Sequence, residues 1–467
     1  MTWQLERPKS ALPNSFFWTW DHRANWVLDD PGCLNWGWRN KYLKRPETFV
    51  EDYRRLTDLA AGLGVKGIII WGFLRDSHGG IEYAKRVADY AASKGVAIMP
   101  GIGTTAYGGV YYEGDHPYNL HTFVEKNPDA RLIREDGTPS IYLGKYYTIC
   151  PSHPLLGEWL MEGMQWLFRE FAIGGANLEN GDFLVCYCPR CKAARETRSN
   201  DEPDFFKSQG SSYEPALKAI EDQLEDKLVT YATYTGFLPG KCPVGPEKDK
   251  AHHRYMGCER PMMFDLLPEK AIAQWTLSHM VMERSLPLTA YLEDGAPQAA
   301  FENHRWPADV RPPSARGVGF NHSPGEEWGT RYSQAISTIK ETCLRAHRSG
   351  LEGAAIHGEV SSRHPSTALN YLAFSHFIHW PEDTLCDFGR KTLGQVLGSE
   401  QEGEEYVRLL ASWDAGELTE DQRKEIKKHW SDTFELMTAG QDVDRWRLWE
   451  WLRAVESGDR LKVSSFF

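Results

Sequence analysis

Between about residue 15 and residue 380, short apolar runs alternate with stretches whose apolar residues recur every three to four positions. The first run, 15–21 (S-F-F-W-T-W-D), reads as a strand. Residues 47–63 then set Phe49, Tyr53, Leu56, Ala60 and Leu63 on one helical face. Residues 65–73 (V-K-G-I-I-I-W-G-F) are a nearly continuous apolar run, of the kind parallel sheets bury on both faces. A helix over 81–94 is stopped by Gly95, which suits the left-handed position after a helix, and a third strand follows at 96–103. The connection 104–151 is too long for an ordinary strand-to-helix loop and is expected to be functional. Beyond it the pattern predicts helix 155–171, strand 175–179, helix 214–226 and strand 228–234. It continues with helix 269–284, strands 288–292 and 317–321, helix 330–348, strand 353–357 and helix 366–379.

Eight strand–helix units predict an α/β fold, a (β/α)8 TIM-type barrel with long loops, over residues 1–381. The rival, an open doubly wound sheet, loses support because no G-x-G-x-x-G follows the first strand. Past residue 382 the runs E-E-Y-V-R-L-L and R-W-R-L-W-E-W-L-R-A-V-E predict a helical C-terminal extension, 382–467, packed on the barrel.

A net charge of −12 without a basic cluster argues against nucleic acid and anionic membranes as partners. No apolar run is long enough to span a membrane, and the first residues lack the apolar core of a signal peptide. Nine cysteines, an odd number, do not make a disulfide framework, so a reducing, cytoplasmic setting is expected. A barrel edge and a helical tail offer surfaces for a homodimer, but no interface is marked. The 18 Trp and 20 Tyr include several beside Gly, Asp and His rather than in amphipathic patterns. Aromatic faces stack on the C–H surfaces of sugar rings, which points to a cleft for an oligosaccharide or glycoside.

Barrel enzymes keep their chemistry at the carboxyl ends of the strands. Here those ends carry Trp20, Asp21 and His22 after the first, and Trp71, Arg75, Asp76 and His78 after the second. Tyr107, Tyr112, Glu113 and His116 follow the third, and Glu179 and Asp182 the fourth. Glu293 and Asp294 are placed after the sixth, His322 after the seventh, and His357, Glu359 and Arg363 after the eighth. Cleaving a glycosidic bond takes two carboxyl groups, one to protonate the leaving oxygen and one to attack the sugar or activate water. Glu179 is the first choice for the acid, because apolar Leu178 and like-charged Asp182 both favour its protonated form. Glu359 and Asp21 compete for the second role, Asp21 with His22 as orienting partner. Arg75, Arg134 and Arg363 are candidates for the carboxylate of an acidic sugar. Cys186, Cys188 and Cys191, spaced C-x-C-x-x-C, supply three thiolates for a structural zinc, with Cys150, Cys242 or Cys258 as the fourth ligand.

The run N-L-E-N-G-D-F-L-V-C-Y-C-P-R-C-K-A-A-R resembles the fourth-strand region of zinc-containing barrel β-galactosidases. That resemblance implies Glu179 as acid/base and Cys150, Cys186, Cys188 and Cys191 on zinc. This chain departs from it in placing Leu178 between Asn177 and Glu179. G-L-E-G-A-A-I-H-G-E-V and A-L-N-Y-L-A-F-S-H-F-I-H-W-P-E-D are similar to the last strand and helix of barrel α-glucuronidases and β-hexosaminidases. W-D-H-R-A-N-W faintly resembles barrel-type inverting sialidases, which implies Asp21 as a catalytic group with His78, His116 or His153 as partner. The reading is an exo-acting glycoside hydrolase that needs no cofactor for catalysis. The alternatives are a metal-dependent barrel hydrolase or lyase using His22, His78, His322 and His357, and a non-catalytic carbohydrate-binding protein.

Overall fold

In the computed structural model, residues 3–24, 26–27, 44–142, 146–180, 185–196, 204–232, 267–276, 286–301, 316–321, 334–440 and 442–458 are described. Eight strands close into a barrel: β1 (Phe16–Trp20), β2 (Gly67–Trp71), β3 (Ala97–Gly103), β4 (Gly175–Glu179), β5 (Leu228–Ala232), β6 (Ile272–Thr276), β7 (Arg316–Asn321) and β8 (Gly353–His357). Each pairs in parallel with the next in sequence, and β8 returns to β1 through Phe16 opposite Ala355 and Trp18 opposite His357.

Alternation along each strand sorts the side chains into two cores. Phe16, Trp18, Ile69, Trp71, Met99, Phe320 and their neighbours fill the lumen. Phe17, Ile70, Leu178, Tyr231, Trp275 and Ile356, one residue out of phase, pack outward among the helices. Gly101, on β3 beside Trp71, makes room for the indole, since a Cβ there would lie 2.4 Å from the ring.

The helical layer includes α1 (Pro46–Leu63), α2 (Gly80–Ser93), α3 (Leu156–Glu170), α4 (Asp204–Lys218), α5 (Ile336–Arg348) and α6 (Pro365–His379). The predicted face of α1, from Phe49 to Leu63, is buried, and Gly64 ends the helix at φ +74°. Every residue of α6 is buried, because the barrel lies on one side and the C-terminal helices cover the other. The C-terminal region holds α7 (Glu400–Asp414), α8 (Glu420–Thr438) and α9 (Val443–Glu456), and of these α9 lies against α6. No helix among the described residues is long and apolar enough to cross a membrane.

Three expectations are corrected. Residues 269–284 read as a helix, but Ile272–Thr276 is β6, its Trp275 packed outward into the core. Burial against β5 and β7 overrides a helix-favouring composition here. Residues 288–292 read as the sixth strand, but Leu288–Tyr291 is a 3-10 turn outside the barrel. A shorter correction applies before β5, where α4 ends at Lys218 and only a 3-10 turn, Glu221–Gln223, follows. The long connection 104–151 holds a helix, Leu120–Lys126, capped by the Asn119 side chain, and a small ribbon pairing Ile141–Tyr142 with Tyr146–Tyr147.

Candidate active site

The end of β4 places Glu179 on the lumen side, because Asn177, two residues earlier, faces inward. Asn177 Oδ1 accepts from Trp71 Nε1 at 3.1 Å, and its amide nitrogen donates to Thr230 Oγ1 at 2.8 Å and Gln274 Oε1 at 3.0 Å. One amide thereby ties β2, β4, β5 and β6 directly beneath the acid. The main chain around Glu179 is fixed as well: Thr104 N–H donates to its carbonyl at 2.8 Å, and Asn180 N–H donates to the Tyr213 hydroxyl at 3.2 Å. Glu179 keeps 7% of its surface exposed, whereas Asp21 and Glu359 keep none.

At the seam of the barrel, Glu359 Oε1 accepts from the main-chain N–H of Trp20 at 2.7 Å. Its other oxygen lies 3.7 Å from Arg23 Nε and 3.4 Å from His357 Nδ1. The His357 ring packs against Trp18 and Phe320, with centroids 5.0 and 5.6 Å away.

Asp21 occupies a cationic cage. Arg75 Nε is 3.1 Å from one oxygen, and Lys44 Nζ and His78 Nδ1 lie 3.7 and 3.3 Å from the other. Lys44 also pairs with buried Asp52 at 2.7 Å. Burial raises the pKa of Asp21, against the pull of Lys44 and Arg75. Burial together with Arg75 and Lys44 drives the His78 imidazole down to about 2, so it is neutral, and its ring lies on Phe49 at 5.1 Å. His22 is likewise held well below its ordinary value, by burial first and Arg75 second.

An aromatic wall rises above the lumen. Trp20 meets Trp71, His22 and Tyr107 at 5.4, 5.5 and 5.5 Å. Tyr107 sits at φ +54°, a backbone position non-glycine residues rarely adopt. Arg75 lies over the Tyr112 ring at 4.5 Å and pairs with Glu113, itself 56% exposed, at 2.6 Å.

Other predicted residues lie elsewhere. Asp76 accepts from the Tyr111 hydroxyl at 2.5 Å and from Asp115 N–H at 3.1 Å, and so braces the loop after β3. His116 is stacked between Tyr111 and Trp166, at 4.4 and 4.6 Å, beside α3. Arg363 is exposed and lines a shallow cavity with Trp3, Asp444 and Arg447. Arg134 is exposed on the long connection, donating to the Ile141 carbonyl. Glu293 and Asp294, expected after the sixth strand, follow the 3-10 turn instead, and Glu293 pairs with Arg408 on α7. Asp182 and His322 lie outside the described residues.

Cys150, Cys186, Cys188 and Cys191 are all buried, and their sulfurs lie within 4.8 Å of one another. Cys150 Sγ is 3.5 Å from Cys188 Sγ and 3.4 Å from Cys191 Sγ, far longer than a disulfide bond. Ile133 N–H donates to Cys186 Sγ at 3.4 Å. Hydrogen bonds shared with Cys150 and Cys191 pull the Cys186 thiol down to about 2, and the same sharing raises Cys150.

Sequence alone does not single out Lys44, which sits in no periodic or motif context, or Arg23, which lies within W-D-H-R-A-N-W but between the residues that draw notice there. Asn177 carried a usable signal, a lone amide in an apolar strand two residues before the acid.

No protein-family model matches the chain, and no curated protein matches it in sequence. Among solved structures, it is similar to a maltogenic α-amylase from Thermotoga neapolitana, at 11% identity and a TM-score of 0.44, covering 80% of this chain and 78% of that one. A β-N-acetylhexosaminidase from Bacteroides fragilis matches at 11% identity and a TM-score of 0.42, over 78% of this chain and 66% of that one. An exo-β-N-acetylglucosaminidase from Vibrio harveyi matches at 12% identity and a TM-score of 0.42, over 80% of this chain and 55% of that one. The chain thus spans about half of the last protein's length.

Proposed function

We propose that this chain is a glycoside hydrolase that removes a terminal sugar, with Glu179 as general acid and Glu359 as the second carboxylate. The observation that carries the reading is the position of Glu179. It is a mostly buried acid at a barrel strand's carboxyl end, facing the lumen, with residual solvent access and an aromatic wall nearby. The remaining exposure lets a substrate oxygen reach it. Trp20, Tyr107 and Tyr112 offer faces for a sugar ring. Both carboxylates are fully buried, so either must be uncovered for a sugar to reach it; Glu359 is put ahead because Arg23 Nε stands 3.7 Å from it, whereas Arg75 Nε stands 3.1 Å from Asp21 and Lys44 adds a second cation there. Asp21 is then a positioning residue that sets Arg75. The experiment is hydrolysis of a broad panel of aryl glycosides by Glu179→Gln, Glu359→Gln and Asp21→Asn. Three fully active variants would sink the proposal, and tight sugar binding by an inactive wild type would mark a carbohydrate-binding protein instead.

A second reading, an inverting sialidase, is favoured by the contact between Asp21 and His78. It predicts an aryl sialoside as substrate and Asp21→Asn, not Glu179→Gln, as the inactive variant. An acidic sugar would have to draw Arg75 from Glu113, since Arg134 and Arg363 lie away from the wall. The metal-dependent alternative finds no support in a gathered His set: among the described residues, His22, His78 and His357 join no cluster of metal-ligand spacing.

The cysteine cluster fits a structural zinc. Four thiolates around one ion at about 2.3 Å stand about 3.8 Å apart, close to the contacts made by Cys150. Bound there, zinc would offset part of the thiolates' charge and tie the segment after Glu179 to the long connection.

A further inference from the structure

We infer that Glu405, Glu425 and His429 form a divalent-cation site joining α7 to α8, away from the barrel mouth. Their donor atoms all lie within 4.8 Å of one another. Glu425 and His429 are four apart on α8 and share one of its faces, while Glu405 reaches them from α7. His429 Nε2 is 3.2 Å from Glu405 Oε2. Two donors that bind one ion at about 2.1 Å, at tetrahedral or octahedral angles, stand about 3.0–3.4 Å apart.

The imidazole is held in place. It stacks on Trp449 at 4.2 Å with planes 3° apart, and Trp449 Nε1 donates to Glu402 Oε1 at 2.8 Å. Glu402 in turn accepts from Arg445 Nε at 2.8 Å and faces His429 Nδ1 at 4.0 Å. At 4.0 Å Glu402 makes no hydrogen bond to Nδ1, so the stacking on Trp449 is what sets the plane of the ring.

The charge balance points the same way. Arg408 pairs with Glu404 and Glu293, Lys424 with Asp421, Lys428 with Asp432, and Arg445 with Glu402. Among the described residues no Lys or Arg forms an ion pair with Glu405 or Glu425. Only Glu405 pairs with the imidazole, and Glu425 converges on the same point without a cation of its own among the described residues, an excess of negative charge that a divalent ion removes. One nitrogen and two carboxylate donors suit first-row ions such as zinc, cobalt or manganese better than calcium or magnesium, which take oxygen ligands. Such an ion would clamp α8 to α7.

The test titrates the metal-free 467-residue protein with cobalt(II), following bound metal by equilibrium dialysis and coordination by absorption. The expected result is one cobalt per chain with a nitrogen/oxygen spectrum, separable from any cobalt on cysteines by the latter's thiolate charge-transfer band. Glu405→Gln/Glu425→Gln, and Glu425→Gln alone, should weaken that class at least tenfold while melting like the wild type without metal. Zinc should raise the Tm of the wild type and not of the double variant. Unchanged cobalt stoichiometry and affinity in the variants, or no cobalt in the wild type beyond the thiolate class, would overturn the inference.

Discussion

The main-chain N–H of Trp20 donates to Glu359 Oε1 at 2.7 Å, so the last residue of β1 is held by the loop after β8. Glu359→Ala removes that acceptor and the carboxylate facing Arg23, both in a fully buried setting. Urea denaturation should show a loss of about 3–5 kcal/mol. Glu359→Gln keeps an acceptor for Trp20 and should lose about 1–3 kcal/mol. Equal losses for the two would show that the hydrogen bond contributes nothing.

Glu179→Gln should cut turnover of a responsive aryl glycoside by about 100-fold or more. Its unfolding midpoint should barely move, since the Thr104 bond and the Asn180 bond involve main-chain atoms that the substitution leaves alone.

Asn177→Leu should act differently. It removes the partner of the Trp71 indole and two bonds to Thr230 and Gln274. Stability should fall by about 1–3 kcal/mol. In addition, kcat should fall more than KM rises, because the acid two residues on loses its alignment. A variant with wild-type kcat would separate the amide from the site.

Acid stability should depend on His376, buried beneath the barrel–helix junction. Burial holds its pKa at about 4 despite Asp383 at 3.3 Å. Between about pH 6.5 and 4 the unfolded chain therefore binds a proton that the folded chain does not. Stability is full above that window and falls as pH drops through it, by about 1.4 kcal/mol per pH unit for this group. His376→Asn should flatten the pH dependence of unfolding there by that amount. An unchanged slope would assign the acid sensitivity elsewhere, His78 being the next candidate.

Metal analysis of the purified protein should find zinc that Cys186→Ser releases, with a lower Tm in the variant. A wild type free of zinc after growth in zinc-replete medium would remove the cysteine cluster from the metal sites.

Much of the barrel was legible because buried parallel strands such as Gly67–Trp71 are runs of apolar residues that few other settings tolerate. β6 was not, since I-A-Q-W-T carries no strand periodicity and only its neighbours make it a strand. That single shift moved Glu293 and Asp294 off the barrel mouth. Glu179 was legible because it ends a clear strand. The cage around Asp21 was not, because Lys44 and Arg75 reach it from separate connections, and contact across such distances leaves no local mark. The cysteines fell between the two: C-Y-C-P-R-C is a visible spacing, while Cys150 joins it only through the folding of the long connection.

Trp71 fills the volume that a side chain at position 101 would take. The indole is wholly buried beneath Trp20 and Tyr107, so it is the footing of the aromatic wall and not itself a face for a ligand. Any larger residue at 101 would push that footing against the two rings above it and tilt the wall without touching an acid. The shape of the barrel mouth is thus written in part at a position with no side chain and no chemistry of its own.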